Sequence, residues 1–335
     1  MKIDEGDSTA VTAKSSILCS SKKQDLETFD TELASRPSAK SRILKSMFGF
    51  AICLIFFAIV TALSGCQGVE DRNKVVVSGS TTLLPIAETA AQLFEDAKPD
   101  YVLLVSGMGT SAGIEAVGVS GTADIGTSSR DLRGTETELG LIEIPVAYDG
   151  IAVIVHPSNP INDLTLDQVQ DIFSGRIKNW SELGGEDLDI VIVNRDEASG
   201  TRSSFASAVM GDALFEINSV VLPGTGQVRE VVARTPEAIG YISFGFVEPR
   251  LVNTIVKPLW LNGVEPSDES IIDGTYPIAR ALHFLTNGVP SGSPLEYIEF
   301  VLSDYVQQGA VVDAGFLPIV EADHVEFRRM LNEGP

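Results

Sequence analysis

Cysteine is scarce in this chain, and its position matters more than its number. The three cysteines are Cys19, Cys53 and Cys66, so everything beyond residue 66 is free of disulfides, CxxC metal sites and thiol nucleophiles. Histidine is as scarce: His156 precedes a proline, His283 lies in an apolar strand pattern, and His324 is near the C-terminus. None sits in a segment that reads as an active-site loop, so these imidazoles are expected to satisfy local hydrogen bonds. A serine nucleophile such as Ser199 would lack its base. No HExxH or dense His/Asp grouping occurs, and no GxxxxGK[ST] phosphate loop; "GMGTSAG" has GxGxxxG spacing and only half-matches a dinucleotide fingerprint. Positive charge is the third shortage. Lys and Arg total 24 against 46 Asp and Glu, a formal net charge of -22, which excludes broad contact with a nucleic-acid backbone. A small anion is not excluded, because charges beyond roughly 8 Å are largely screened at physiological salt and local donors dominate.

What is present begins with an address. Residues 1–46 are polar and Ser-rich and carry Lys40, Arg42 and Lys45; residues 47–66 are an apolar run ending in small residues and Cys66. This is a secretory signal pattern, and Leu63-Ser64-Gly65-Cys66 resembles the lipobox at which bacterial lipoproteins are cleaved and lipidated on cysteine. An uncleaved anchor is the alternative, although the run is short against the ~20 residues that span a bilayer. Residues 67–73 form a polar tether.

Beyond the tether, β-branched runs alternate with helical patterns: "KVVVSG" before "STTLLPIAETAAQLFEDA", "YVLLVSG" before "AGIEAVGVSG", "LDIVIVN" before "SSFASAVMG". "IPVAYDGIAVIVHP" reads as buried strand with a break near Asp149-Gly150, and "LTLDQVQDIFSG" as an amphipathic helix stopped by Gly175. The alternation predicts an α/β fold with parallel layers, and a 335-residue chain exceeds one typical domain.

Several loops share one design, in which a strand ends, glycines and hydroxyls follow, and a helix begins. They are "SGSTTLLP" (78–85), "SGMGTSAG" (106–113) and "RDEASGTR" (195–202), with "DIGTSSR" (124–130) a helix-poor variant. A helix N-terminus leaves backbone N–H groups unpaired and favours an anion. Ser80, Thr81, Thr110, Ser129, Ser199 and Thr201 add short hydroxyl donors, and Arg195 a charged fork. Any one of these loops is explained by helix capping alone; together they describe a cage for a compact tetrahedral anion.

These loops, with "YDGIAVIVHPSNPINDLTLDQVQDIFSGRIKNW", "AIGYISF" and "YPIARALHFLTNGVPSG", resemble the phosphate-binding proteins of ABC-type phosphate uptake systems over residues 74 to 320. The resemblance implies a two-lobed periplasmic-binding-protein fold that closes on its ligand, with lobe I at 74–149 plus 257–335 and lobe II at 150–256. It implies an extracytoplasmic, lipid-anchored, monomeric receptor with no cofactor and no metal, which captures inorganic phosphate and passes it to membrane permease subunits. Among site residues it implies Thr82 and Leu83 with Ser80 and Thr81 beside them, Thr110, and the second-lobe clamp Arg195, Ser199, Gly200 and Thr201, with Glu197 orienting the arginine.

One position departs from the best-known branch of that family. Where its turn ends in an aspartate that accepts a phosphate proton, this chain has Ser129 followed by Arg130. Such an acceptor rejects sulfate, because it stays buried and unpaired against an anion with no proton to donate. Asp149, Asp196 and Glu197 are the candidate substitutes. Arg130 is either a second cation at the site or a partner of Asp131. The alternatives in view are a receptor for sulfate, molybdate or tungstate, a secreted phosphatase, and a sensor or adhesin on the same fold.

Overall fold

The computed structural model describes residues 73–247 and 255–333; the polar leader, the signal segment, Cys66 and all but the last residue of the tether lie outside the described residues. The chain opens with β1 (Lys74–Gly79), α1 (Leu84–Ala97), β2 (Val102–Gly107), α2 (Thr110–Gly118) and β3 (Ile125–Ser128). There follow β4 (Leu141–Val155), a short β5 (Asp163–Leu164), α3 (Leu166–Phe173), β6 (Val191–Arg195), α4 (Gly200–Phe205), β7 (Val220–Leu222), α5 (Thr225–Arg234) and β8 (Ala238–Ser243). The remainder is β9 (Lys257–Pro258), β10 (Trp260–Leu261), α6 (Asp268–Ile272), β11 (Ala279–Asn287), α7 (Gly292–Val301) and, after shorter turns, a C-terminal helix Val325–Glu333.

Local chemistry accounts for these boundaries. In α1, Pro85 occupies the first turn, where its missing N–H is harmless, and Ile86, Ala90 and Phe94 recur on the buried face. In α3, Thr165 caps the first turn by accepting from Gln168 N, and Gly175 follows the helix at φ +73°. The helix α4 does not stop at Phe205 but continues as one wider turn, Ala206–Met210.

The main sheet runs β2-β1-β3-β11-β4-β8-β6-β7, with β9 also on β4. Its two ends are parallel, as the alternating pattern predicts: β1 with β2 and β3, and β6 with β7 and β8. Its middle is antiparallel, β11 against β3 and β4, and β4 against β8 and β9. The reason is the path of the chain. One strand leaves the first half while the other returns to it, so the two must run in opposite directions.

Instead of breaking at Asp149-Gly150, β4 is a single strand of 15 residues that changes partner there, from β11 up to Gly150 to β8 from Ile151 onward. At the change-over Gly150 lies so close to Ile271 that a Cβ would sit 2.6 Å from its Cδ1. Two apolar cores result. One gathers Val77, Ile86, Phe94, Ile125, Phe284 and Tyr297; the other gathers Ile154, Phe173, Phe205, Val228, Ile239 and Tyr241. Leu259, Leu261, Ile271, Tyr276 and Ile278 also pack into the second core, so the chain rejoins the first core at β11 and not at residue 257.

Candidate functional site

The hydroxyl-rich loops all follow the C-terminal ends of parallel strands: Ser80–Leu83 after β1, Thr110 after β2, Ser129 after β3, Ser199–Thr201 after β6 and Thr225 after β7. That edge is where open α/β sheets place ligands, because each helix starting there turns its free N–H groups toward the same space.

The loops of the two halves meet directly. Thr82 Oγ1 lies 3.0 Å from Thr201 Oγ1 and 3.4 Å from Thr225 Oγ1, and Thr81 Oγ1 lies 3.3 Å from Thr225 Oγ1. Ser80 donates to Ser129 Oγ at 3.0 Å, and Thr110 Oγ1 lies 3.4 Å from the same atom. The backbone joins in, with Ser111 N donating to Ala198 O at 3.1 Å. Ser80, Thr82, Thr110, Ser129, Thr201 and Thr225 are all buried. A hydroxyl can rotate between donating to a neighbour and donating to an oxyanion, so this ring can recruit its protons to a ligand without rebuilding the backbone.

Arg195 ends β6 inside this ring and is 2 % exposed. Its Nη2 donates to Thr81 Oγ1 at 3.2 Å and Pro223 O at 2.8 Å, its Nη1 to Thr225 Oγ1 at 3.0 Å, and its Nε to Leu222 O at 3.2 Å. It forms no ion pair with any carboxylate among the described residues. Burial pushes its pKa down to about 10, against the opposing pull of Tyr241 and Asp196, so the side chain is still a cation at neutral pH. Tyr241 donates to Asn194 Oδ1 and stacks on Phe205 at 4.0 Å between centroids, which braces the strand end.

The other expected residues divide. Leu83 caps α1 and buries its side chain in the first core, leaving only its backbone near the loops. Ser199 caps α4 by accepting from Arg202 N at 3.1 Å, which leaves its proton free to donate outward. Gly200 is a close-approach glycine: a Cβ there would stand 2.3 Å from Thr110 Oγ1 and 2.6 Å from Ser129 Oγ. Glu197 does not orient Arg195. It is exposed, and carbonyls and hydroxyls hold the guanidinium instead. Arg130 is neither in the ring nor paired with the Asp131 side chain. Its guanidinium grips Glu136 with two bonds of 2.6 and 2.8 Å and donates to Asp131 O, while Ser129 alone faces the ring.

The candidate proton acceptors divide too. Asp149 is fully engaged, receiving Ser243 Oγ and Phe244 N on one oxygen and the Arg280 guanidinium on the other. Glu197 faces solvent. Asp196 has a buried Oδ1 without a hydrogen-bond partner. Sequence reasoning missed Thr225, although "LPGTGQV" has the strand, glycine, hydroxyl and helix order of the other loops. It missed the Asp149–Arg280 pair as well. His156 does bond locally, to Ser158 at 2.7 Å. His283 does not, and its Nδ1 is buried without a partner.

Against known proteins, residues 67–305 match the model of the PBP superfamily domain. The phosphate-binding protein PstS of Bacillus subtilis is 32 % identical over 75 % of this chain and 83 % of its own length. The PstS of Borreliella burgdorferi is 31 % identical over 80 % of this chain and 98 % of its own length. A Clostridium perfringens phosphate ABC transporter substrate-binding protein, solved with bound phosphate, superposes with a TM-score of 0.69 at 37 % identity, covering 74 % of this chain and all of that one. The fold is therefore the two-lobed one that the resemblance implied, and the chain belongs to the PBP superfamily and, within it, to the PstS family of phosphate-binding proteins.

Proposed function

We propose that this chain is an extracytoplasmic receptor that captures inorganic phosphate between its two halves and delivers it to the permease of an ABC transporter. The observation that carries the reading is Arg195, a buried cation that forms no ion pair among the described residues and is ringed by hydroxyls from both halves of the sheet. A buried charge left without a counter-charge costs several kcal/mol, and an oxyanion entering the ring supplies one. Five loops then contribute: Ser80, Thr81, Thr82 and the Leu83 backbone; Thr110; Ser129; Ser199, Gly200 and Thr201; and Thr225. Asp196 is the acceptor we assign to the phosphate proton in place of the missing aspartate, because its Oδ1 is buried and unbonded.

The lobes in this reading are 74–149 plus 279–333, and 150–278, hinged where β4 and β11 cross. No helix among the described residues is long and apolar enough to cross a membrane; the signal segment and Cys66 would supply a lipid tether on the outer side of the membrane. No covalent step is assigned, and Ser199 acts as a cap and donor. Titration calorimetry of the full chain, purified in detergent and freed of ligand by unfolding and refolding, tests the reading. One phosphate site is expected, with a sulfate response at least a hundredfold weaker. A preference for sulfate or tungstate would instead favour the second reading, which rests on Ser129 standing where an acidic acceptor is usual.

A further inference from the structure

Away from the hydroxyl ring, one cluster has the makings of a cation site. His283 on β11 lies opposite Ser128 of β3 and Pro145 of β4, and Glu143 on β4 pairs with Leu285 two residues along. Positions two apart on a strand share a face, so the imidazole and the Glu143 carboxylate are diagonal neighbours on one side of the sheet. The register shifts between Leu282 and His283, a local irregularity of the kind that re-aims a side chain. The loop after β3 brings in Asp131, and the ligating atoms of Asp131, Glu143 and His283 all lie within 4.8 Å of one another.

The histidine points to a ligand independently of the carboxylates. Its side chain is 8 % exposed, and it makes no hydrogen bond; Nδ1 is sealed in, while Nε2 faces Asp131 Oδ1 at 3.8 Å. That separation is too long for a hydrogen bond. It suits two ligands on either side of a metal about 2.0–2.2 Å from each. Glu143 is partly buried beside the imidazole. Its Oε1 already accepts Leu132 N at 2.8 Å, which fixes the carboxylate's orientation as an outer contact does around a metal. Asp131 is exposed, leaving the fourth side open to solvent.

We propose that Asp131, Glu143 and His283 form a binding site for one borderline divalent cation of the first transition row, zinc being the probe of choice for one imidazole and two carboxylates. The site is separate from the phosphate ring. It ties the loop carrying Ser129 to the β4–β11 pair through Asp131, two residues further along.

The test is zinc titration of the full chain in detergent, stripped with a chelator and kept in phosphate-free buffer at pH 7.5, beside the variants Asp131→Asn and His283→Gln. Cobalt absorption in the visible range reads ligand type in the same samples. Asp131 is exposed, so its substitution leaves the fold intact, and circular dichroism checks this for both. The expected result is one more equivalent of zinc in the unaltered protein than in Asp131→Asn, with at least a tenfold loss of affinity in either variant. Zinc held elsewhere, for instance by the leader thiols, would persist unchanged in both variants. Equal stoichiometry and affinity in all three proteins, or no zinc binding in any of them, overturns the site.

Discussion

Two buried arginines stand at the join between the halves of this molecule, and they are kept in opposite ways. Arg280, at the crossing of β4 and β11, is locked onto Asp149 by bonds of 3.0 and 2.7 Å, and Asp149 is itself held by Ser243 and the Phe244 backbone. Arg195, at the end of β6, is given only carbonyls and hydroxyls. A buried charge whose partner is built in belongs to the fold. One whose partner is left out is poised for a ligand, because the desolvation is already met and the counter-charge must come from outside.

Removing either partner tests the contrast. Asp149→Ala strands the Arg280 charge and is expected to destabilise the protein by about 3–5 kcal/mol, read as a large fall in melting temperature with or without phosphate. Arg195→Met is expected to do the reverse: phosphate affinity falls at least hundredfold, about 3 kcal/mol, while the ligand-free melting temperature holds or rises. If both variants lose stability equally, the two arginines are not different in kind. Gly200→Ala places a methyl against Thr110 and Ser129 and is expected to cost about 1–3 kcal/mol of phosphate binding by calorimetry, leaving the two cores unaffected. Thr225→Val withdraws one hydroxyl from Arg195 and should weaken binding roughly tenfold, on the order of 1–2 kcal/mol. Glu197→Gln should leave the affinity within about twofold, since an exposed carboxylate contributes little; a tenfold loss would restore it as the arginine's partner.

A small effect separates Arg130 from both. Burial raises the Glu136 carboxyl, but the Arg130 guanidinium overcomes this and holds it below the usual range. A carboxylate lowered in the folded state adds stability above its unfolded value of about 4.3 and loses it as the pH falls further. Glu136→Gln should therefore flatten the acid side of a pH–stability curve by a small, measurable amount without moving phosphate affinity.

Much of this was legible in the sequence, because strands rich in Val and Ile and loops rich in Gly, Ser and Thr have local causes. "KVVVSG" is β1, and the loops from 78 and 106 sit where their hydroxyls suggest. The failures are non-local. Nothing near Arg195 in the chain reveals that Leu222, Pro223 and Thr225 hold it, and Glu197, the partner that the resemblance implies, is exposed instead. Thr225 was hidden because β7 is only three residues long and partly exposed, too short for a pattern. Arg130 reaches Glu136 six residues on, inside the turn Gly134–Leu139, a spacing for which side chains follow no helical rule. The change of partner in β4 likewise depends on β8 and β11, which lie far along the chain.

The most direct test of the central claim is a paired calorimetric titration of phosphate into the ligand-stripped full chain and its Arg195→Met variant under identical buffer and salt. One tight site is expected in the first and at least a hundredfold weaker binding in the second, with sulfate weak in the unaltered protein. Phosphate binding of equal strength in both proteins would mean that Arg195 is not the ligand's counter-charge, and the reading of the ring as a phosphate clamp would be contradicted.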